Sequence, residues 1–327
     1  MVHWLTSLNP TVQVSLLAVV GMTLGSAVRL VKLRGQPREK ASSRLASLRT
    51  WWILLGLLIA ACWMGPYGIV ALLALASGLA MDEFLRIAAP MVTPMPRRLW
   101  ALTMVLTGYG SLIFFEALTF QTVVPLIAIW TLVLPHLIGD STQSYLSHVG
   151  YSLWGVMVLV WGVGHAALLA LSSTVPRDPE VAVGGFMYLV IVTEMNDIAQ
   201  AWIGRAWGRH KILPHVSPHK TWEGFLGGLA VTSILSLGIS LWLLPDLWRA
   251  NASDMSRGLT WLGPWIAGLV IGLSGFVGDL NMSCVKRDVG VKDGSQLLPG
   301  QGGVIDRIDS LSFTAPALVV FLSLWRQ

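Results

Sequence analysis

The chain has 327 residues, of which 54% are hydrophobic and 12% charged, and carries a formal net charge of +5. Soluble domains hold roughly 25% charged residues, so a composition this poor in charge, with its apolar residues gathered into long runs, excludes an ordinary water-soluble fold. The basic excess lies between those runs rather than in one patch, which argues against nucleic acid as a partner.

Crossing a hydrocarbon core of about 30 Å takes ~20 apolar residues in a helix. Read in chain order, the apolar runs predict ten spans, near 11–31, 51–65, 66–82, 99–118, 121–138, 152–173, 183–203, 224–244, 259–280 and 311–325. The expected fold class is all-α: a polytopic integral membrane helical bundle of about nine or ten transmembrane helices. The first run has no basic leader and is too long for a cleaved signal segment, so it reads as a true span. Segment 33–50 is basic and polar, and reads as an anchor against anionic headgroups. Runs 51–65 and 66–82 are short and separated only by Gly65-Pro66, which fits either a tight helical hairpin or a re-entrant pair. Glu116 and His165 stand alone in or beside spans and read as packed residues, as does Cys62. The 16 Trp residues lie mostly near span ends, as interfacial belts require.

Lys and Arg placement sets the orientation. With the N-terminus outside, all Lys and Arg except Arg177, Arg249, Arg257 and Arg326 fall on the cytoplasmic side. The two segments richest in chemistry then face the cytoplasm.

The chain divides into N-terminal transmembrane helices, 1–182, and a C-terminal catalytic region, 183–327. Charge within a span is costly, so intramembrane acids mark function by default. Glu194 and Asp197 are three residues apart and share a helix face. Two acids there repel unless a cation lies between them. The following stretch, Ser217-Pro218-His219-Lys220-Thr221-Trp222-Glu223-Gly224, supplies a cation and two hydroxyls. With Gly227 and Gly228 it suits an anion near a helix N-terminus. His210, His215 and His219 lack the spacing of a zinc site. The second stretch runs from Asp279 through Ser283, Lys286-Arg287 and Lys292-Asp293 to Pro299-Gly300-Gln301-Gly302-Gly303 and Asp306-Arg307-Ile308-Asp309. Carboxylates hold hard cations, Lys and Arg balance phosphate, and glycines let backbone N–H groups approach anions. On residue chemistry alone, a salt-bridged loop fits this stretch as well as a phosphate site does.

The run Ser283 to Asp309 resembles the signature of phosphatidate cytidylyltransferases, matching it at Ser283, Lys286-Arg287, Lys292-Asp293, Pro299, Gly302-Gly303, Asp306-Arg307 and Asp309. The runs Asn196-Asp197 and Ser217 to Gly224 resemble the same family, so the similarity covers roughly residues 190–310. Gln301 stands where the signature has His; an amide hydrogen-bonds phosphate or ribose but carries no titrating proton, which leaves a variant lipid phosphate open. Residues Ile198-Ala199-Gln200 also depart from the commonest bacterial pattern.

The resemblance implies attack of a phosphatidate phosphate on the α-phosphorus of CTP, with Mg²⁺, giving CDP-diacylglycerol and pyrophosphate. It implies metal ligands among Asp197, Asp279, Asp306 and Asp309, and catalytic roles for Lys286, Arg287, Lys292, Asp293 and Arg307. Substrate contacts fall to Ser217, Lys220, Thr221, Ser283, Gln301, Gly302 and Gly303. It further implies a homodimer in contact with membrane lipids of a bacterial inner membrane, with the site on the cytoplasmic side. A transporter or flippase, or a non-catalytic scaffold, are the competing classes. Coupling charges of a transporter belong near the bilayer midplane, whereas most of these sit toward span ends.

Overall fold

The structure, a computed structural model, describes residues 10–33, 38–88, 97–115, 117–139, 142, 144–171, 179–244, 248 and 261–325. The elements are α1 (Pro10–Leu33), α2 (Arg38–Trp63), α3 (Pro66–Ile87), α4 (Arg97–Phe114) and α5 (Ala117–Ile138). There follow α6 (Tyr145–Gly155), a π-helical stretch (Val156–Gly162), α7 (Val163–Leu171) and α8 (Pro179–Trp207). A hairpin of β1 (Lys211–Leu213) and β2 (Ser217–Thr221) leads into α9 (Trp222–Leu243), α10 (Leu262–Asp288), the single turn α11 (Ile305–Ile308) and α12 (Leu311–Trp325). Among the described residues, nine helical segments are long and apolar enough to cross a membrane, and α4 forms a shorter apolar helix. The all-α membrane bundle read from the sequence is therefore observed. Glu116, Arg177, Arg249, Arg257, Arg326 and the triplet Asn251-Ala252-Ser253 lie outside the described residues.

Three boundaries differ from the sequence reading. Segment 38–50, expected to be a basic anchor before a span starting at 51, is the first half of α2, and the membrane-length apolar stretch starts at Ala41. Runs 51–65 and 66–82 belong to two complete helices, the tight-hairpin alternative, with helices longer than the runs. Gly65 turns the chain at φ 77°, a left-handed conformation that costs glycine nothing, and Pro66 starts α3 where its missing N–H is not needed. The sixth span runs from Tyr145 to Leu171 and begins earlier than residue 152.

The large apolar side chains that remain exposed, such as Leu24, Val31, Leu106 and Ile234, face outward. In water they would aggregate; in a bilayer they meet a solvent as apolar as themselves. Span 145–171 holds the most enclosed apolar window, 78% of its 18 residues being buried against 11% for that of α1. His165 is packed there between Phe120 and Trp161, its Nδ1 2.7 Å from the Trp161 carbonyl. Cys62 is buried, Cys284 is exposed, and both are free thiols.

Lipid offers no hydrophobic drive between helices, so association depends on close packing through small residues. Gly224 and Gly228 of α9 lie directly against Gln200 of α8, where any side chain would overlap it. Gly272 and Gly275 of α10 leave room for the Asn196 amide. These contacts bring α8, α9, α10 and α12 together around the charged residues. The glycines after Thr221, expected to admit an anion, serve the α8–α9 crossing.

Candidate active site

One connected set of polar contacts joins α8, β2, α10 and the turn before α12. Lys220, at the end of β2, pairs with Asp279 at 2.6 Å and donates to Gln200 Oε1 at 3.2 Å. Its ammonium also lies 5.3 Å from the centre of the Phe276 ring. Gln200 donates to Asn196 Oδ1 at 3.0 Å, and the Asn196 amide reaches Asp197 Oδ1 at 3.4 Å. Asn196 is fully buried and also accepts from Thr232 at 3.1 Å, which locks its orientation. Ser310 then bridges two acids: its hydroxyl donates to Asp197 Oδ2 and its backbone N–H to Asp309 Oδ1, both at 2.8 Å. Asp309 lies within electrostatic reach of Asp197, Asp279 and Lys286. Three carboxylates thus face one region, with Lys220 the cation beside Asp279 and Asp197 and Lys286 the one within reach of Asp309. Glu194 lies within electrostatic reach of Arg307 and Asp309.

The hairpin that carries Lys220 is held from α9. Glu223 accepts from the Arg209 and His210 backbone N–H groups at 3.0 and 3.2 Å, and its other oxygen lies 2.6 Å from His210 Nδ1. The Thr221 hydroxyl caps α9 by accepting from Gly224 N at 3.2 Å. Thr221 is therefore a capping residue here, and Ser217 sits half-buried on β2.

The signature segment begins where α10 ends. Gly290 at φ 75° stops the helix, and the Val291 N–H returns to the Lys286 carbonyl at 2.8 Å. Leu298 to Gln301 form a tight turn with Gly300 at φ 71°, closed by Gln301 N to Leu298 O at 2.9 Å. Asp306 organises the loop. Its Oδ1 pairs with Lys286 at 2.8 Å, and its Oδ2 accepts from Gly294 N and Gly303 N at 3.0 and 2.9 Å. Both oxygens are engaged, one of them in an ion pair, so Asp306 acts here as a loop anchor. The anion that the Gly294 and Gly303 N–H groups approach here is the protein's own carboxylate.

Residues from the N-terminal half complete the segment, and sequence reasoning missed them. Glu83, buried on α3, accepts from Ser295 Oγ at 2.6 Å, from Val304 N at 3.1 Å and from Ile305 N at 2.9 Å. Thr50 of α2 donates to the Pro299 carbonyl at 3.0 Å. Gln301 donates to Ser47 Oγ at 2.5 Å, so it docks the turn onto α2. The sequence signal for Glu83 was an acidic pair, Asp82-Glu83, late in an apolar helix.

Not every expected residue joins this centre. Arg287, Lys292 and Asp293 are exposed and have no ion-pair partner among the described residues, and Ser283 is half-buried without a polar contact among them. Arg287 lines a separate, largely apolar groove of about 760 Å³ with Leu146, Tyr151, Trp154 and Val285. Arg307 lies over the Trp51 ring at 5.9 Å, with its Nε unpartnered.

Fold and site together define a polytopic membrane protein whose acids and cations converge where helices and loops meet. The chain matches the cytidylyltransferase family over residues 46–325 and belongs to that family. It is 36% identical over 294 residues to the uncharacterized protein YnbB of Escherichia coli K12, covering 88% of this chain and 89% of the relative. It is 38% identical over 145 residues to the phosphatidate cytidylyltransferase of Haemophilus influenzae, covering 44% of this chain and 48% of that protein. It is 34% identical over 168 residues to that of Brucella suis, covering 51% and 57%. The chain thus spans about half the length of these phosphatidate cytidylyltransferases.

Proposed function

We propose that the protein transfers the cytidylyl group of CTP to a lipid phosphate, phosphatidate or a close relative, at the cytoplasmic face of a bacterial inner membrane. An oxygen of the lipid phosphate attacks the α-phosphorus of CTP. A new P–O bond forms, the bond to the β-phosphate breaks, and pyrophosphate leaves. The nucleophile is already an anion near neutral pH, so the protein needs no general base. Its tasks are alignment and charge stabilisation.

The observation that carries this reading is the Asp279–Lys220–Gln200–Asn196–Asp197–Ser310–Asp309 relay. Hard carboxylate oxygens suit Mg²⁺, and Ser310 holds Asp197 and Asp309 beside each other. Among the described residues no three acidic, His or Cys side chains form a complete metal cage. An ion bound by one or two carboxylates plus substrate phosphates needs no such cage. Asp197 and Asp309 would hold it, with Asp279 beside them. Mg²⁺ when bound would neutralise the triphosphate and the leaving pyrophosphate. Lys220 and Arg307 would meet phosphate oxygens, while Lys286 would act through Asp306. The groove lined in part by Arg287 has enough apolar lining to take acyl chains.

Pyrophosphate release by the purified protein in detergent micelles tests this reading. We expect release to require Mg²⁺, CTP and a lipid phosphate together, and to fall at least about a hundredfold in Asp309→Asn. Release that ignores the lipid, or survives that substitution, would contradict it.

A further inference from the structure

Glu83 lies on α3, outside every segment in which the sequence concentrated its chemistry. It is 5% exposed, and all three of its hydrogen bonds run to the signature segment. Oε1 takes the Ser295 hydroxyl and the Val304 N–H, and Oε2 takes the Ile305 N–H. These donors stand on both sides of the Pro299-Gly300 turn. One side chain therefore ties the start of the loop to the start of α11. The approach is close: a Cβ at Gly303 would sit 2.5 Å from Glu83 Oε2. Asp306 follows directly, fixing Lys286, and Ser310 and Asp309 complete the run.

We infer that Glu83 is a positioning residue: its carboxylate sets the shape of loop 294–305 and so the placement of Asp306 and Asp309. Its catalytic consequence rests on the cytidylyl-transfer reading, whereas its effect on the loop does not. Two acceptor oxygens are needed for three donors. Gln supplies one oxygen and turns an NH₂ group toward an N–H or O–H donor. Asp keeps both oxygens on a stem shorter by one methylene. The N-terminal half of the chain is thereby part of the site rather than a membrane anchor for it.

The test compares wild type, Glu83→Gln and Glu83→Asp as full-length protein in detergent. Hydrogen–deuterium exchange is followed in peptides covering 291–308, without substrate, beside turnover of CTP and phosphatidate. We expect Glu83→Gln to remain folded, with helical circular dichroism and elution unchanged. Exchange in this segment should rise at least about tenfold while α5 and α7 stay protected. Turnover should fall through kcat more than through the KM for CTP, and Glu83→Asp should recover part of it. Unchanged exchange in Glu83→Gln overturns the inference, as does a loosened loop with unchanged kcat. Exchange rising equally throughout the protein also overturns it, since Glu83 would then serve only global stability. A wild type that turns over nothing, with the loop still loosened in Glu83→Gln, would defeat the cytidylyl-transfer reading while leaving the loop role standing.

Discussion

Lys286 and Asp306 form an ion pair at 2.8 Å, with side chains only 15% and 7% exposed. Replacing Asp306 with Asn removes the charge partner of a largely enclosed ammonium and one of two acceptor oxygens. Breaking a buried pair from one side costs about 3–5 kcal/mol, because the other charge is left uncompensated. Lys286→Met leaves Asp306 its two backbone donors, Gly294 N and Gly303 N, so its loss should be smaller, about 1–3 kcal/mol. The double variant removes both charges and should be less damaged than the sum of the singles. We predict a coupling of about 1–3 kcal/mol, the range for residues in one network. Denaturant titration of the four proteins in detergent micelles, followed by tryptophan fluorescence, completes the cycle. A coupling below about 0.5 kcal/mol, the scatter expected of independent sites, would refute the view that this pair holds the loop.

Other substitutions separate roles within the site. Gly303→Ala should destabilise by about 1–3 kcal/mol, because the new methyl meets Glu83 Oε2; thermal denaturation in detergent measures it. Gln301→His should keep turnover within about threefold of wild type, since an imidazole N–H also reaches Ser47, whereas Gln301→Leu should lower thermal stability by about 1 kcal/mol. Ser310→Ala removes the hydroxyl that holds Asp197 beside Asp309. We expect it to raise the Mg²⁺ concentration for half-maximal turnover about tenfold, as loss of supporting contacts to metal ligands does.

The bilayer made the fold legible. Long apolar runs have one physical use, and the charges that interrupt them, Asp197, Asp279 and Asp309, proved to be neighbours. What remained hidden depends on contacts distant in sequence. Glu83 reaches partners 212 to 222 positions away, and nothing local distinguishes it from Asp82, which pairs with Arg86 and Arg98. Residues 38–50 are basic and polar, which put the expected span start at 51, yet they are helical and present Ser47 and Thr50 to the signature turn. Glycine spacing revealed that backbone would approach something closely. It did not reveal that the partners are Asp306, Glu83 and the flank of α8.

The most direct test of the central claim follows two labels on the nucleotide. CTP carrying ³²P at the α position, and separately at the γ position, is incubated with the purified protein, Mg²⁺ and phosphatidate micelles, and the lipid is extracted. Cytidylyl transfer predicts α-label in the lipid, γ-label left in aqueous pyrophosphate, and neither in lipid with Asp309→Asn. Lipid that acquires the γ-label, or α-label transferred as well by Asp309→Asn as by wild type, would contradict it.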